Sequence, residues 1–307
     1  MKSKAISIGY IAKISVGNVN ASHTEGNIMT AKKVTMPDGS TLPYISGQAI
    51  RRMIRDRLND LGEKLAESQY TLKGEQEVVP LVRPMDYIDE DLFGYLDPSG
   101  GRRRTSPVRV SAAVGLFPFR GDRDLGTRSF EKFGETMERG GNMFETEIYY
   151  NLFRGALLIE LDRVGKFESV ELGDKPSEIS DNEKSRRLKM LFEAIKLLWG
   201  GGRTARMLTD MSPKFIAYAR LKVKYPVFLE NLNLEYRDGT LLLDVKLITS
   251  AMDRVSPYME EAIFGVEPGM FSNEDDIKEI LGKYGTVTTV VEALNQAKED
   301  VESIWKY

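Results

Sequence analysis

The chain has 307 residues, enough to bury a sizeable core as one elaborated domain or as two small ones. It has no cysteine and a single histidine, which excludes disulfides, thiolate zinc sites and cysteine nucleophiles and leaves little for histidine-based chemistry. The net charge of −3 argues against a simple basic nucleic-acid binder. Basic residues are nevertheless clustered at 51–57, 101–128 and 203–224, and local clusters decide whether phosphate can be held.

The first predicted element is a β-strand at residues 5–16, where apolar side chains alternate with small or polar ones. Only Ile11 interrupts the alternation, so the pattern indicates a strand with one buried face. After a polar loop, Ser46 is typical of a helix N-cap, and apolar residues at helical spacing predict a helix over 47–61. Three arginines fall off the apolar stripe, toward solvent or a ligand: Arg51, Arg52 and Arg55.

The middle of the chain alternates between irregular and regular segments. Residues 62–150 are rich in glycine, proline and charge and indicate an insertion, with one short strand at 108–116. A buried strand at 156–162, an amphipathic helix over 188–199 and a strand at 216–225 follow. The helix ends at a run of three glycines.

The last part of the sequence predicts a hairpin and a helix. Apolar runs at 232–236 and 241–247 are joined through Asp238 and Gly239, although four residues between the runs leave the turn type open. Thr289 can cap a final helix. This order of elements predicts an α+β fold. No run approaches the roughly 18 apolar residues of a membrane helix, which predicts a cytoplasmic protein without a membrane partner.

The strongest candidate binding site is the start of the 47–61 helix. Free backbone amides and the helix dipole favour an anion there, and Gly47 permits a phosphate to approach closely. Gln48 and the arginines add hydrogen-bond donors. A capped surface helix with solvating arginines explains the same pattern equally well.

The glycines 200–202 lead into a second candidate, formed by Arg203, Arg206, Met207 and Leu208. The run follows a helix and lacks the Gly-Lys-Ser/Thr of a P-loop, so the sequence argues against nucleotide hydrolysis. A helix C-cap and a loop are the simpler interpretation. The two arginines beside an apolar pair also suit RNA, because arginine holds phosphate while apolar side chains contact bases.

A third candidate is arginine-rich and contains Arg103, Arg104 and Arg109. All seven basic residues of 101–128 are arginines, which favours bidentate phosphate contact or base stacking. A charge run is more commonly a solvated face.

Catalytic and metal sites find little support. His23 lies in a polar loop without a second histidine, so a structural or surface role is favoured over acid–base chemistry. The carboxylates of 86–91 could bind a cation, but an acidic stretch is more often simply solvated. We predict no metal and no cofactor.

Taken in order, these segments resemble the DevR-type branch of the RAMP superfamily, which supplies the repeated backbone subunit of the type I CRISPR surveillance complex, Cascade. The resemblance extends over residues 6–225. The sequences that carry it are VGNVN at 16–20, PYISGQAIRR at 43–52, DLFGY at 91–95, RTSPVRVS at 104–111, LDRVG at 161–165, GGGR at 200–203 and MSP at 211–213.

The resemblance implies a modified RNA-recognition-motif (ferredoxin-like) palm with an inserted finger region and a thumb hairpin. By position, the palm comprises 1–61 and 151–260, with the thumb near 200–225. Residues 62–150 form the finger-like insertion, and 261–307 form a C-terminal helical segment.

The resemblance also implies a function in CRISPR antiviral defence. Such subunits are non-catalytic, oligomerise along crRNA as a helical filament, displace a base at intervals with the thumb, and present the other bases for pairing with target DNA. The implied partners are crRNA, target DNA through the guide, copies of the chain itself and other Cascade subunits. The RNA-binding residues predicted on this basis are Asn18, Asn20, Ser46, Gly47, Gln48, Arg51, Arg52, Arg55, Arg103, Arg104, Arg109, Arg203, Arg206, Met207 and Leu208.

Two alternatives stay open. RAMP relatives that cut target RNA carry an Asp in a Gly-Ile-Asp context after the first strand, whereas the nearest equivalent here, at 26–30, has Met29 and no acid. This favours a backbone subunit that does not cleave. The first alternative is an RNA-processing endonuclease of the same superfamily that uses His23 with a basic partner, and the second is an unrelated α+β enzyme with a small-molecule pocket.

Overall fold

The structure is a computed structural model that describes residues 3–73, 77–128, 142–201 and 207–305. None of the helices in these ranges is long and apolar enough to cross a membrane. The strands are β1 (Ala5–Gly17), β2 (Ala21–Glu25), β3 (Ile28–Ala31), β4 (Lys33–Thr35), β5 (Thr41–Ile45), β6 (Thr71–Lys73), β7 (Glu77–Val79), β8 (Tyr95–Asp97), β9 (Arg102–Arg104), β10 (Val108–Val110), β11 (Ala113–Gly115), β12 (Asp122–Arg128), β13 (Asn142–Glu160), β14 (Lys166–Phe167), β15 (Ser177–Glu178), β16 (Pro213–Leu221), β17 (Leu234–Arg237), β18 (Thr240–Leu243), β19 (Met259–Val266) and β20 (Thr286–Thr289). The helices are α1 (Gly47–Asp60), α2 (Ile88–Phe93), α3 (Ser169–Leu172), α4 (Asp181–Lys196), α5 (Val245–Val255), α6 (Glu274–Leu281) and α7 (Val290–Ile304).

The predicted starts of two helices, α1 and α7, match the structure. The Ser46 hydroxyl accepts a hydrogen bond from the Ala49 N–H at 3.3 Å, which confirms the predicted start of α1. The Thr289 hydroxyl accepts from the Glu292 N–H, which confirms the predicted cap of α7. In both helices the start is determined by local contacts along the chain, so the sequence pattern was sufficient.

The predicted hairpin forms, but its second strand is shorter than expected. Asp238 and Gly239 both have positive φ, 50° and 79°, as a two-residue hairpin turn requires. The strand predicted to reach residue 247 ends at Leu243. The Asp244 carboxylate then accepts hydrogen bonds from the first-turn amides of α5, so residues 245–247 are helical.

Twelve strands of the described residues form one sheet, whose centre has the order β16–β1–β13–β11. All neighbours in this group are antiparallel. Along the chain, α1 lies between β1 and β11, and α4 lies between β13 and β16. The central elements therefore follow a β-α-β-β-α-β order, and the α+β class is confirmed.

The first hydrophobic core lies between this sheet and α1, α4 and α7. The sheet contributes Ile8 of β1 and Phe153 of β13 to this core. The helices contribute Ile54 of α1, Leu191 of α4 and Leu294 of α7. Burial of these large side chains stabilises each helix on the sheet by roughly 1.5–3 kcal/mol per residue.

The opposite face of the sheet is also buried, so the prediction of one buried face for β1 is wrong. Ile11 belongs to a second core with Phe215 of β16 and the segment around Phe228. Gly9 makes this packing possible, because a Cβ atom at this position would lie 2.3 Å from the Phe228 Cβ atom. Ile11, the residue that interrupts the alternation in β1, is therefore buried under a second layer of the structure. This layer includes side chains of α5 and α6.

Two of the predicted segment boundaries fall inside strands. The boundary at 150/151 lies within β13, and the boundary at 260/261 lies within β19. The predicted thumb near 200–225 includes β16, which lies in the sheet between β1 and β19. The single strand predicted at 108–116 is instead two short strands, β10 and β11.

Candidate nucleic-acid interface

The start of α1 lies directly against the backbone that follows β10. A Cβ atom at Gly47 would lie 2.4 Å from the Val110 carbonyl oxygen and 3.1 Å from that of Ser111. Glycine is therefore required here for helix packing, whether or not a phosphate also approaches. On the other side, the Ser46 N–H donates to the Asn20 Oδ1 atom at 2.8 Å. The first turn of α1 contains no acidic side chain.

A groove of about 420 Å³ extends from the start of α1 toward β10. Its lining includes Arg51, Arg109 and residues 105–106. Within the described ranges, the Arg51 Nε atom has no hydrogen-bond partner. Burial, and then the neighbouring Arg55 charge, lower the pKa of Arg51. A guanidinium held near another cation and without an acceptor favours an anionic ligand.

Arg109 differs from Arg51 because it already has a carboxylate partner. Its side chain is 58% exposed, and its guanidinium lies 2.5 Å from the buried Glu160 carboxylate. Arg109, Arg163 and Lys224 all contact Glu160. Despite desolvation of Glu160, its hydrogen bond from Lys224 and the Arg109 charge hold the pKa of its carboxyl below the usual value. Arg109 is therefore oriented at the groove edge with its outer side open to solvent.

The other two predicted arginines of α1 do not line this groove and have carboxylate partners. Arg52 pairs with Asp56 at 2.9 Å and with Glu67 at 3.0 Å. Arg55 lies 4.7 Å above the Phe93 ring and 3.5 Å from Glu67. The carboxylates of Asp56 and Glu67 therefore largely compensate the charges of Arg52 and Arg55. Gln48, at the start of the helix, is exposed.

Adjacent arginines in β9 have opposite environments. Arg103 is exposed, whereas the Arg104 side chain has no exposed surface. The Arg104 guanidinium donates to the carboxylates of Asp91 and Glu171, each at 2.7 Å, and to three backbone carbonyl oxygens. All five of its N–H donors are therefore used inside the protein. The interpretation of this run as a solvated face is wrong for Arg104.

Three of the four carboxylates in the acidic stretch are buried, contrary to the prediction that the stretch is solvated, whereas Asp86 is exposed. Asp89, Glu90 and Asp91 are each at most 1% exposed. Asp89 and Glu90 accept hydrogen bonds from backbone N–H groups, while Asp91 pairs with Arg104 and Arg187. Burial raises the pKa of Glu90 despite these hydrogen bonds. The described part of the chain contains no group of side chains suited to a metal ion.

The end of β1 adjoins the chain that follows α4. A Cβ atom at Gly17 would lie 2.6 Å from the Thr209 Cγ2 atom, so the two segments touch. Asn18 is 4% exposed, and neither polar atom of its amide has a hydrogen-bond partner in the described ranges. Met207 is half-buried, and Leu208 is 81% exposed. The predicted contacts Arg203 and Arg206 lie outside the described residues.

His23 lies on β2 and is highly exposed. Its Nε2 atom is 2.9 Å from a Glu25 carboxylate oxygen, and its Nδ1 atom is 3.1 Å from the Ser22 hydroxyl. No lysine or arginine pairs with His23 in the described ranges. The geometry thus lacks the basic partner that the endonuclease alternative requires.

Sequence reasoning missed Gly94, Thr105 and Ser106, which line the groove beside Arg51. The Ser106 hydroxyl is 3.0 Å from the Leu92 carbonyl oxygen and 2.5 Å from that of Val108. Ser106 therefore links the segment before β10 to α2. The sequence did contain a signal for these three residues, because they occur at 91–95 and 104–111, two of the sequences that carry the family resemblance.

Comparisons with known proteins identify one family and two solved structures with a similar fold. A family model described as "CRISPR-associated negative auto-regulator DevR/Csa2" matches residues 8–240. A chain of a solved "CRISPR RNA-guided surveillance complex, pre-nicking" is similar with a TM-score of 0.63 and 13% identity, over 97% of this chain and 100% of that chain. A chain of another "CRISPR RNA-guided surveillance complex" has a TM-score of 0.60 and 14% identity, over 96% and 99%. At these identities the likeness is one of fold. A search of curated proteins gave no significant match.

Proposed function

The chain belongs to the DevR/Csa2 family of CRISPR-associated proteins, and from this premise we propose that it is a non-catalytic, guide-RNA-binding backbone subunit of a Cascade-type surveillance complex. Copies of the chain bind along crRNA as a filament, contact other subunits of the complex, and leave guide bases free to pair with target DNA. In this proposal the chain binds the guide RNA in the cytoplasm.

In this proposal the β-α-β-β-α-β core is the RNA-recognition-motif-like palm. RNA-recognition motifs commonly stack bases on the sheet face opposite their helices. Here Ile11 and Phe215 on that face are buried beneath the second core. The covered centre of the sheet supports a subunit that holds RNA by its backbone along an edge and reads few bases.

The observation that carries the proposal is the Arg51 guanidinium, which lines the groove and has no carboxylate partner among the described residues. A phosphate between Arg51 and Arg109 supplies the missing acceptor, and the first turn of α1 adds a favourable dipole. Arg104 is left out of the proposed contacts because its donors are all engaged. The other proposed contacts are Asn18, Asn20, Ser46, Gly47, Gln48, Arg52, Arg55, Arg103, Arg203, Arg206, Met207 and Leu208.

Replacing Arg51 with Ala tests this assignment. We expect R51A to weaken crRNA binding for every guide sequence and to lower the slope of log K against log salt by about 0.7, the value for one lost phosphate contact on a single strand. The measurement is a fluorescence-anisotropy titration of the full chain at several salt concentrations. Arg237→Ala removes the same charge from an exposed hairpin and serves as the matched control. A loss confined to certain guide sequences would contradict backbone holding.

Expression with and without a CRISPR array tests the assembly. We expect a large, RNase-sensitive oligomer that carries guide RNA only when the array is present. Cleavage of repeat RNA that disappears in H23A would instead establish the endonuclease alternative. A monomer that never carries RNA would contradict the proposed function.

A further inference from the structure

The covering layer on the second face of the sheet ends before the sheet does. Leu152 of β13 and Ile11 of β1 are buried in the second core. The next side chain of β13 on this face is Tyr150, two residues before Leu152, and it is 55% exposed. Lys13 pairs with Leu152 across the strands and therefore lies on the same face. On this face, the described part of the sheet is therefore exposed around Tyr150 and Lys13, beyond the second core. We call this region the open end of the sheet.

Tyr150 and Lys13 contact each other at this open end. The Lys13 Nζ atom lies 5.6 Å from the centre of the Tyr150 ring, within the range of about 6 Å for cation–π contact. No carboxylate pairs with Lys13 in the described ranges. The tyrosine ring is thus available for stacking beside a cation that remains free to meet a phosphate.

From this geometry we propose that Tyr150 and Lys13 form a nucleobase-stacking site, in which one base of single-stranded RNA stacks on the Tyr150 ring and a neighbouring phosphate contacts Lys13. Stacking on an aromatic ring combined with a cation is the chemistry of sequence-tolerant single-strand binding. A duplex does not fit, because the faces of its bases are already stacked. The site extends the proposed function from backbone holding to one stacked base and rests on that function.

The surroundings of the pair favour RNA as the occupant. Val16 is 60% exposed and lies in the irregular part of β1 across from Tyr150, between the paired positions Ile14 and Gly17. Gly17 touches the segment that contains the exposed Leu208, a proposed RNA contact. The open end is therefore continuous with the proposed binding surface.

The test uses the full chain and single-stranded RNA that carries 5-iodouridine. We expect Tyr150→Ala to lower RNA affinity at least about five-fold at every salt concentration without changing the salt slope. Tyr150→Phe keeps the stacking ring and should restore affinity. Lys13→Gln should lower the slope by about 0.7. Irradiation of the wild-type complex should crosslink RNA to the peptide that contains Tyr150.

Tyr236→Ala is the matched control, because Tyr236 is also an exposed strand tyrosine, at 65%. If Y150A binds RNA as tightly as Y236A and no crosslink forms at Tyr150, the stacking site is wrong while the proposed function stands. If Y150A keeps RNA affinity but loses self-association, the patch is a protein contact and the inference is overturned. If the wild-type chain binds no RNA, the proposed function fails first.

Discussion

At the scale of single residues, Arg104 is a buried charge that stabilises the fold through its hydrogen bonds. Replacing it with Lys keeps the charge but supplies three donors in place of five. Asp91, Glu171 and three carbonyl oxygens then share fewer hydrogen bonds around a side chain that has no exposed surface. We expect R104K to lower the free energy of unfolding by about 3 kcal/mol, measured by urea denaturation.

Arg103→Lys is the control for this prediction, because Arg103 is the exposed neighbour in β9. It should change stability by less than about 0.5 kcal/mol. Equal effects of the two substitutions would show that the buried ion pairs contribute nothing. The sequence could not separate Arg103 from Arg104, because the carboxylate partners of Arg104 lie 13 and 67 residues away. Arg51, by contrast, was identified from its position on a locally predicted helix.

At the scale of elements, the contact between α1 and the end of β10 fixes the width of the proposed RNA groove. Replacing Gly47 with Ala places a methyl group 2.4 Å from the Val110 carbonyl oxygen, which is backbone and cannot rotate away. We expect G47A to push the start of α1 outward and to lower the free energy of unfolding by about 1–3 kcal/mol. Urea denaturation measures the loss.

Gln48→Ala is the matched control, since it alters the next, exposed residue of the same turn. Stability should change by less than about 0.5 kcal/mol. If G47A is as stable as Q48A, the helix start is free to move and does not define the groove. RNA titrations of G47A should also show weaker binding, because Arg51 and Arg109 are then farther apart.

Elements were predictable where their signals are local. The caps of α1 and α7 involve residues three positions apart, so the sequence contained the whole interaction. The second face of β1 was not predictable, because Gly9 is covered by Phe228 from a distant part of the chain. Similarly, residues 245–247 of α5 were predicted as strand, because Val245 and Leu247 alternate with Lys246 and so fit the period of a strand.

At the scale of the whole molecule, residues 261–307 contribute to the same two hydrophobic cores as the central strands β1, β13 and β16. β19 pairs with β16 from Phe215 to Leu221 and with β20 on its other side. Val301 of α7 is buried in the first core, and Ile277 of α6 is buried in the second. A separate C-terminal helical segment at 261–307 was predicted from sequence because strand pairing across this distance has no local signal.

Deleting residues 261–307 tests whether this part is an appendage. The deletion removes most of β19 and exposes the edge of β16 with both hydrophobic cores, so we expect an aggregated or unfolded protein by circular dichroism and sizing. In the control, an engineered protease site replaces the exposed turn at 267–269, and both pieces are kept after cleavage. The cleaved pair should migrate as one body and melt cooperatively, because the contacts persist. A soluble deletion variant with an unchanged melting temperature would show that residues 1–260 fold without the C-terminal strands.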